Sequence, residues 1–214
     1  MKRAAVLMVI AMALASGLHA DVESASALSS VDSQVRETSL GDLATDALRD
    51  CTGTPISLIP AGSFREVTIP RGVVKVDDVQ KSLQYPDDKI IIIEVTGEQL
   101  AKAMERSVSI HPQKNLGFLQ VSGLDVIFDA GAAKGSRVTA LTTTSGIRIA
   151  ANQVYRVATT QPLAEGAYGY FTIWGKNLKT TSTGKTTSQA VGEFLSKKGS
   201  VDYGKLDRIT VKGK

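Results

Sequence analysis

The chain has 214 residues, of which 25 are basic, 21 are acidic and one is a cysteine, Cys51. A single cysteine excludes an internal disulfide and a thiolate metal cluster, so Cys51 is interpreted as a half-buried small residue, with an intermolecular disulfide as the alternative. The length leaves room for one domain or two small ones.

The first twenty residues have the pattern of a cleavable secretory signal. Lys2 and Arg3 precede an apolar run over residues 4–14, and small residues follow it before the acidic Asp21. The run is too short to span a bilayer, and no later stretch is long and apolar enough either. We therefore expect a periplasmic or secreted protein without a membrane span in its mature form.

The predicted mature chain is close to neutral. Without Lys2 and Arg3, 23 basic residues face 21 acidic ones, a net charge of +2. This weak charge does not predict a nucleic-acid partner.

In chain order, the first predicted elements are a leader, a helix and a strand. Residues 21–34 are rich in serine and alanine, lack hydrophobic periodicity and are predicted to be a flexible leader. Thr38 or Ser39 is predicted to cap a first helix near residues 40–50. A short apolar strand is expected over residues 56–59.

The most informative stretch is the sequence IIIIEV at residues 90–95. Such a continuous apolar run predicts a strand that is buried on both faces. Thr96 and Gln99 then have the spacing of a capping box, and apolar residues recur on one face of the helix predicted over 97–108. We expect the rest of the domain to pack around this strand and helix.

The second half of the chain is predicted to contain an antiparallel meander over residues 118–158. A loop is expected over 163–170, a short strand over 171–174, a linker over 179–187 and a last helix near 187–197. The predicted fold is therefore α/β or α+β over residues 35–214, with a mixed sheet flanked by helices.

The residue inventory argues against several catalytic classes. Residues 21–214 contain one histidine, His111, whereas a histidine-based metal centre needs several. No G-x-S-x-G motif accompanies the serines. We predict no catalytic residue, no metal ligand and no cofactor.

Three loops, at residues 60–65, 85–88 and 163–170, leave or enter predicted core strands. If the loops converge, they supply four candidate ligand-binding residues: Arg65, Tyr85, Asp88 and Tyr168. Arginine favours anions such as phosphate, and aromatic rings offer stacking faces. The alternative is that these are three ordinary strand-end loops.

Four segments together resemble the C-terminal domain of the 5′-nucleotidases. They are ETSLGDL at 37–43, IIIIEVTGEQL at 90–100, FLQVSG at 118–123 and GAYGY at 166–170. The resemblance covers residues 35–195 and implies a nucleotide-holding domain whose chemistry is done by a separate metallophosphoesterase domain. Since the predicted signal precedes it directly, the chain is expected to be complete without that catalytic domain.

The resemblance also implies a rewritten ligand pocket. The family's Asn-Gly-Gly-Gly-Ile-Arg loop corresponds to residues 60–65, where Arg65 is kept and Pro60 replaces the asparagine. The two stacking phenylalanines fall at residues 86–88 and near Pro162, and the ribose-binding aspartate falls on Tyr168. Tyr85 is adjacent to the first of these positions and can offer an aromatic wall.

Two functions follow from these observations. The first is a stand-alone, non-catalytic ligand-binding or interaction module with a small anionic or nucleotide-like ligand. The alternative is an accessory half of a 5′-nucleotidase-type hydrolase of nucleotide catabolism, completed by a separate metallophosphoesterase chain.

Overall fold

The computed structural model describes residues 21–213. The predicted secretory signal lies outside the described residues. The strands are β1 Val22–Ser24, β2 Leu28–Ser29, β3 Ile56–Pro60, β4 Thr68–Ile69, β5 Gly72–Val74, β6 Lys89–Thr96, β7 Leu119–Ser122, β8 Leu124–Phe128, β9 Val138–Thr143, β10 Val154–Thr160, β11 Lys179–Thr186, β12 Ser200–Val201 and β13 Ile209–Val211. The helices are α1 Ser39–Thr52, α2 Val76–Lys81, α3 Gly97–Ser107, α4 Gln161–Ala164, α5 Phe171–Trp174 and α6 Thr187–Lys198.

The main sheet has five strands in the order β11-β6-β10-β3-β7. The predicted strand β6 is antiparallel to both of its neighbours, and β10 runs parallel to β3. Alternate isoleucines of β6 serve two cores: Ile90 packs with α1 and α6, whereas Ile91 and Ile93 pack with α3. The sheet is therefore covered on both faces, which confirms the predicted mixed α/β architecture.

Side-chain caps define where three helices begin. Thr96 forms the predicted capping box of α3, in which its hydroxyl accepts from the Gln99 amide and the Gln99 side chain accepts from the Thr96 amide. Thr186 forms the same arrangement at the start of α6, and Thr38 caps α1. Cys51 lies half-buried in the last turn of α1.

The expectation of a flexible leader over residues 21–34 is not met. This segment contains β1, which pairs with β5 and β12, and β2, which pairs with β4. Val22 and Leu28 are fully buried. Strands of two or three residues are too short to produce a detectable hydrophobic period, which is why the sequence pattern missed them.

Three predictions for the second half need correction. Residues 171–174 form the helical turn α5 instead of a strand, with Tyr170 stacked on Trp174 one turn later. Residues 179–186 form the edge strand β11 instead of a linker. This strand pairs with β6 along one side only, and most of its side chains face solvent. The predicted meander is split: β8 pairs with β9 and β13, whereas β7 and β10 belong to the main sheet.

Candidate functional site

A cavity of about 330 Å³ lies at one end of the main sheet. It forms where β3 and β10 end and β6 begins, because β10 is parallel to β3 and antiparallel to β6. Ligands of open α/β sheets commonly bind beyond the carboxyl ends of strands in this way. The strand-end cavity is lined by Pro60, Ser63, Tyr85, Asp88, Thr160, Pro162 and Tyr168.

The structure brings three of the four candidate residues together. Tyr85, Asp88 and Tyr168 come from two separate loops and share the strand-end cavity. Arg65 does not line it. Its exposed side chain donates from Nε to Gln84 Oε1 at 3.2 Å and borders a separate cavity of about 300 Å³ beside Leu83.

The backbone explains why Arg65 is turned away from the cavity. Phe64 pairs with Leu83 in an isolated bridge, and the Arg65 amide donates to the Ser82 carbonyl at 2.8 Å. These contacts tie the end of the loop to the chain that follows α2. The resemblance implies that Arg65 corresponds to the family's arginine, but only this long-range pairing decides where its side chain lies.

Tyr168 is held in an unusual backbone conformation. Its φ is +55°, in the left-handed region that non-glycine residues rarely adopt. The Arg106 side chain donates to its carbonyl from Nε at 2.6 Å. The Tyr168 hydroxyl lies against Gly62, where an added Cβ would overlap it. The ring therefore depends on a close approach to the backbone that only glycine allows at position 62.

The residues that line the strand-end cavity are neutral or acidic. Partial burial raises the pKa of Asp88, and the nearby charges of Asp87 and Glu165 add to this effect. Burial also raises the pKa of Tyr168, with smaller contributions from Tyr85 and Asp88. Of the described residues, none that lines the cavity is a lysine, arginine or histidine. The lining therefore offers hydroxyls and a carboxyl group to a ligand, but no cation.

Thr160 is a site residue that the sequence analysis did not identify. It is 1% exposed, lines the cavity, and its hydroxyl has no hydrogen-bond partner within residues 21–213. The preceding Thr159, by contrast, donates to the Leu58 carbonyl at 2.8 Å. A buried hydroxyl without a partner is destabilising, and because the Thr160 Oγ1 atom is itself buried, a ligand or water in the cavity reaches it only after the side chain rotates. Because threonine is common in strands, the residue type alone did not indicate a site residue at position 160.

The part of the chain that the structure describes has neither a metal-binding cluster nor a membrane-spanning helix. No three His, Cys, Asp or Glu side chains between residues 21 and 213 are grouped so that they could hold a metal ion. No helix in the same part of the chain has the length and hydropathy of a membrane span.

Comparison with known proteins identifies the family. The family model described as "5′-nucleotidase, C-terminal domain" matches residues 12–175, more than half of the chain. The chain belongs to the 5′-nucleotidase C-terminal domain family. The match agrees with the resemblance read from the four sequence segments.

Relatives of this C-terminal domain are longer proteins. An apyrase from Aedes albopictus is 27% identical over 188 residues, which cover 82% of this chain and 33% of the apyrase. A snake venom 5′-nucleotidase from Naja atra is 26% identical, covering 61% of this chain and 26% of the relative. This chain thus spans about a third or less of the length of these two relatives.

A solved structure supports the same assignment. A 5′-nucleotidase precursor from Thermus thermophilus superposes with a TM-score of 0.81 at 27% identity, covering 90% of this chain and 39% of that chain. An NAD nucleotidase from Haemophilus influenzae superposes with a TM-score of 0.70 at 16% identity, covering 82% of this chain and 33% of that chain, a likeness of fold alone.

Proposed function

We propose that this protein is a secreted or periplasmic ligand-binding module, non-catalytic by itself, that uses the 5′-nucleotidase C-terminal fold. The observation that carries the proposal is the strand-end cavity, in which Tyr85 and Tyr168 meet beside the unpartnered Thr160 hydroxyl. Its volume of about 330 Å³ lies at the lower end of the range of small-molecule pockets.

The lining favours a neutral, planar ligand such as a nucleoside. Tyr85 and Tyr168 offer aromatic faces for stacking, and Ser63 offers a hydroxyl to a polar edge, with the Thr160 hydroxyl added once its side chain rotates towards the ligand. Asp88 can accept hydrogen bonds from ligand hydroxyl or amino groups, but it repels a phosphate. The sequence-based proposal of an anion held by Arg65 against a tyrosine needs both groups in one cavity, and Arg65 lies outside it.

Calorimetric titration of adenosine, adenosine monophosphate and inorganic phosphate tests this proposal. We expect adenosine to bind at least as tightly as the monophosphate, and phosphate alone not to bind in this cavity. Tyr168→Ala should weaken adenosine binding by about 5- to 150-fold, since stacking of a base on an aromatic ring is worth about 1–3 kcal/mol. Thr160→Val, which keeps the side-chain shape, should weaken binding less.

The matched control is Arg65→Ala, because Arg65 lies in the same 60–65 loop as the cavity-lining Pro60 and Ser63 but borders a different cavity. This variant should bind adenosine like the wild type. If the monophosphate binds more tightly than adenosine and Arg65→Ala abolishes that preference, the anion-binding role predicted for Arg65 replaces the neutral-ligand proposal. If no nucleoside or nucleotide binds at millimolar concentration, the proposal is wrong.

The second candidate function is the accessory half of a two-chain hydrolase. It is favoured by the length comparison, because the match covers 33% of a relative named an apyrase and 26% of one named a 5′-nucleotidase. Tyr85 lies in one loop of the strand-end cavity, and the Leu116 carbonyl accepts a hydrogen bond from the Gly62 amide in another. Both side chains are exposed, and a partner chain would cover them. The test is to add this protein to a separately purified metallophosphoesterase domain and to measure hydrolysis of adenosine monophosphate. An increase that requires Tyr85 supports this function, and an unchanged rate rejects it.

A further inference from the structure

A second and larger cavity, of about 760 Å³, lies at the opposite end of β3. Gly53 and Thr54 border it before β3 begins, whereas Pro60 borders the strand-end cavity where β3 ends. The five-residue strand separates the two by roughly 17 Å. The ends of α1 and α6 and the chain after β12 border this C-terminal cavity, which is open to solvent. It is lined by Asp46, Arg49, Asp50, Lys198, Tyr203 and Arg208 among others.

The carboxylates that line the C-terminal cavity are already engaged. Asp46 receives two hydrogen bonds of 2.9 Å from Arg208 and one of 3.0 Å from the Tyr203 hydroxyl. Asp50 forms an ion pair with Lys197 at 3.1 Å. Asp202 accepts from the Gly204 amide at 2.9 Å. These groups leave little capacity to bind a cation.

Two of the cations in the lining are not engaged by any carboxylate. Arg49 and Lys198 form no ion pair within residues 21–213. Lys198 lies over the ring of Phe194, with Nζ at 5.2 Å from its centroid. Both cations stand in or near the last turns of helices, where the helix dipole favours positive charge.

The Arg49 side chain makes a hydrogen bond that an interaction with the helix dipole alone does not require. Its Nη1 donates to Ser122 Oγ at 3.0 Å, which fixes the guanidinium plane. Its Nε is buried and has no acceptor among the described residues. Because Nε is itself buried, a ligand in the cavity can reach only the Nη groups, and Nη2, which makes no hydrogen bond to residues 21–213, is the donor left for a carboxylate or phosphate oxygen.

The geometry points to the C-terminal cavity as a binding site for a small organic anion, with a phosphate or carboxylate group on Arg49 and Lys198. Its volume exceeds the need of an inorganic ion, and its mostly polar lining, bordered by the rings of Phe194 and Tyr203, suits a polar organic ligand. The site is independent of the strand-end cavity and of the function proposed for it. Phosphate and carboxylate share this chemistry, so the experiment must separate them.

The experiment titrates inorganic phosphate, glycerol phosphate, citrate and, as a neutral control, glycerol into the mature chain by calorimetry. We expect at least one organic anion to bind and glycerol not to bind. Arg49→Gln should weaken that binding by about 10- to 150-fold, the effect of one charge-assisted contact, and Lys198→Gln should weaken it as well. Lys176→Gln removes an exposed lysine outside the cavity and should leave binding unchanged.

Further variants separate this site from the other cavity and from a folding defect. Tyr168→Ala should leave anion binding unchanged, because Tyr168 lines only the strand-end cavity. Thermal melting reports whether Arg49→Gln is folded. If it is not, Arg49→Lys and Lys198→Gln decide the question. The proposal is overturned if no anion binds the wild type at millimolar concentration, or if folded Arg49 and Lys198 variants bind as the wild type does.

Discussion

At the scale of single residues, the most unusual feature is a buried carboxyl cluster. It consists of the carboxyl groups of Glu37, Asp42 and Asp46 together with the guanidinium of Arg208. Asp42 is 1% exposed, and its Oδ2 lies 3.6 Å from Arg208 Nε. Arg208 is already bound to Asp46 through both Nη atoms, so it cannot fully neutralise a second carboxylate. Burial raises the pKa of Asp42 from 3.8 to about 9, and the adjacent Glu37 adds to the rise while Arg208 opposes it. Asp42 therefore keeps its proton at neutral pH.

Because Asp42 holds this proton, the free energy of unfolding is expected to fall as pH rises. A carboxyl group whose pKa is raised in the folded protein binds the proton more tightly there than in the unfolded chain. Its contribution is fully present below the ordinary value of 3.8 and is lost as pH rises towards about 9. We expect Asp42→Asn, which is neutral at every pH, to reduce the fall in unfolding free energy between about pH 5 and about pH 9.

Chemical denaturation of the wild type and the variant across that pH range is the measurement. The control is Asp77→Asn, because Asp77 is exposed and lies outside the buried carboxyl cluster. That substitution should leave the pH profile close to that of the wild type. Parallel profiles for the wild type and Asp42→Asn would show that Asp42 is ionised in the folded protein.

At the scale of elements, β6 and α3 form the unit on which the two cores depend. Ile93 is fully buried under α3, and Thr96 connects the strand to the helix through the capping box. The Gln99 side chain also donates to the carbonyls of Ile173 and Trp174 at 3.1 and 3.2 Å. The cap therefore links α3 to α5 as well as starting the helix.

Two substitutions separate capping from core packing. Thr96→Ala should lower the unfolding free energy by about 1 kcal/mol, the usual cost of a lost cap. Ile93→Ala should cost roughly 2–5 kcal/mol, because it leaves a cavity in a packed core. Urea denaturation measures both, and Thr144→Ala, at an exposed turn, serves as the control. Small and equal effects at positions 93 and 96 would contradict the central role of β6.

At the scale of the whole molecule, we expect no catalysis by this chain alone. Residues 21–214 contain one histidine, and among residues 21–213 no three candidate ligands are grouped for a metal ion. A purified chain of residues 21–214 with added divalent metal ions should not release phosphate from nucleoside monophosphates. Release of phosphate that persists through repurification and disappears in Tyr168→Ala would contradict this expectation, and a full-length 5′-nucleotidase provides the positive control.

Sequence patterns determined the parts of this protein that depend on local chemistry. The buried strand over residues 90–95, the capping boxes at Thr96 and Thr186 and the family assignment all follow from short segments, because periodicity and caps are local. They also gave Tyr85, Asp88 and Tyr168 as candidates, but left open whether their loops converge, and the cavity that these residues share depends on the order of strands in the sheet.

Only the tertiary structure decided which groups share a cavity. Arg65 is turned away by pairing between Phe64 and Leu83, and Thr160 is left without a partner by the end of its strand. The clearest case is Arg49, whose hydrogen-bond partner Ser122 lies far along the chain and whose cavity is bordered by the chain after β12. Contacts between distant segments leave no periodic signal in the sequence, because each depends on how strands and helices pack.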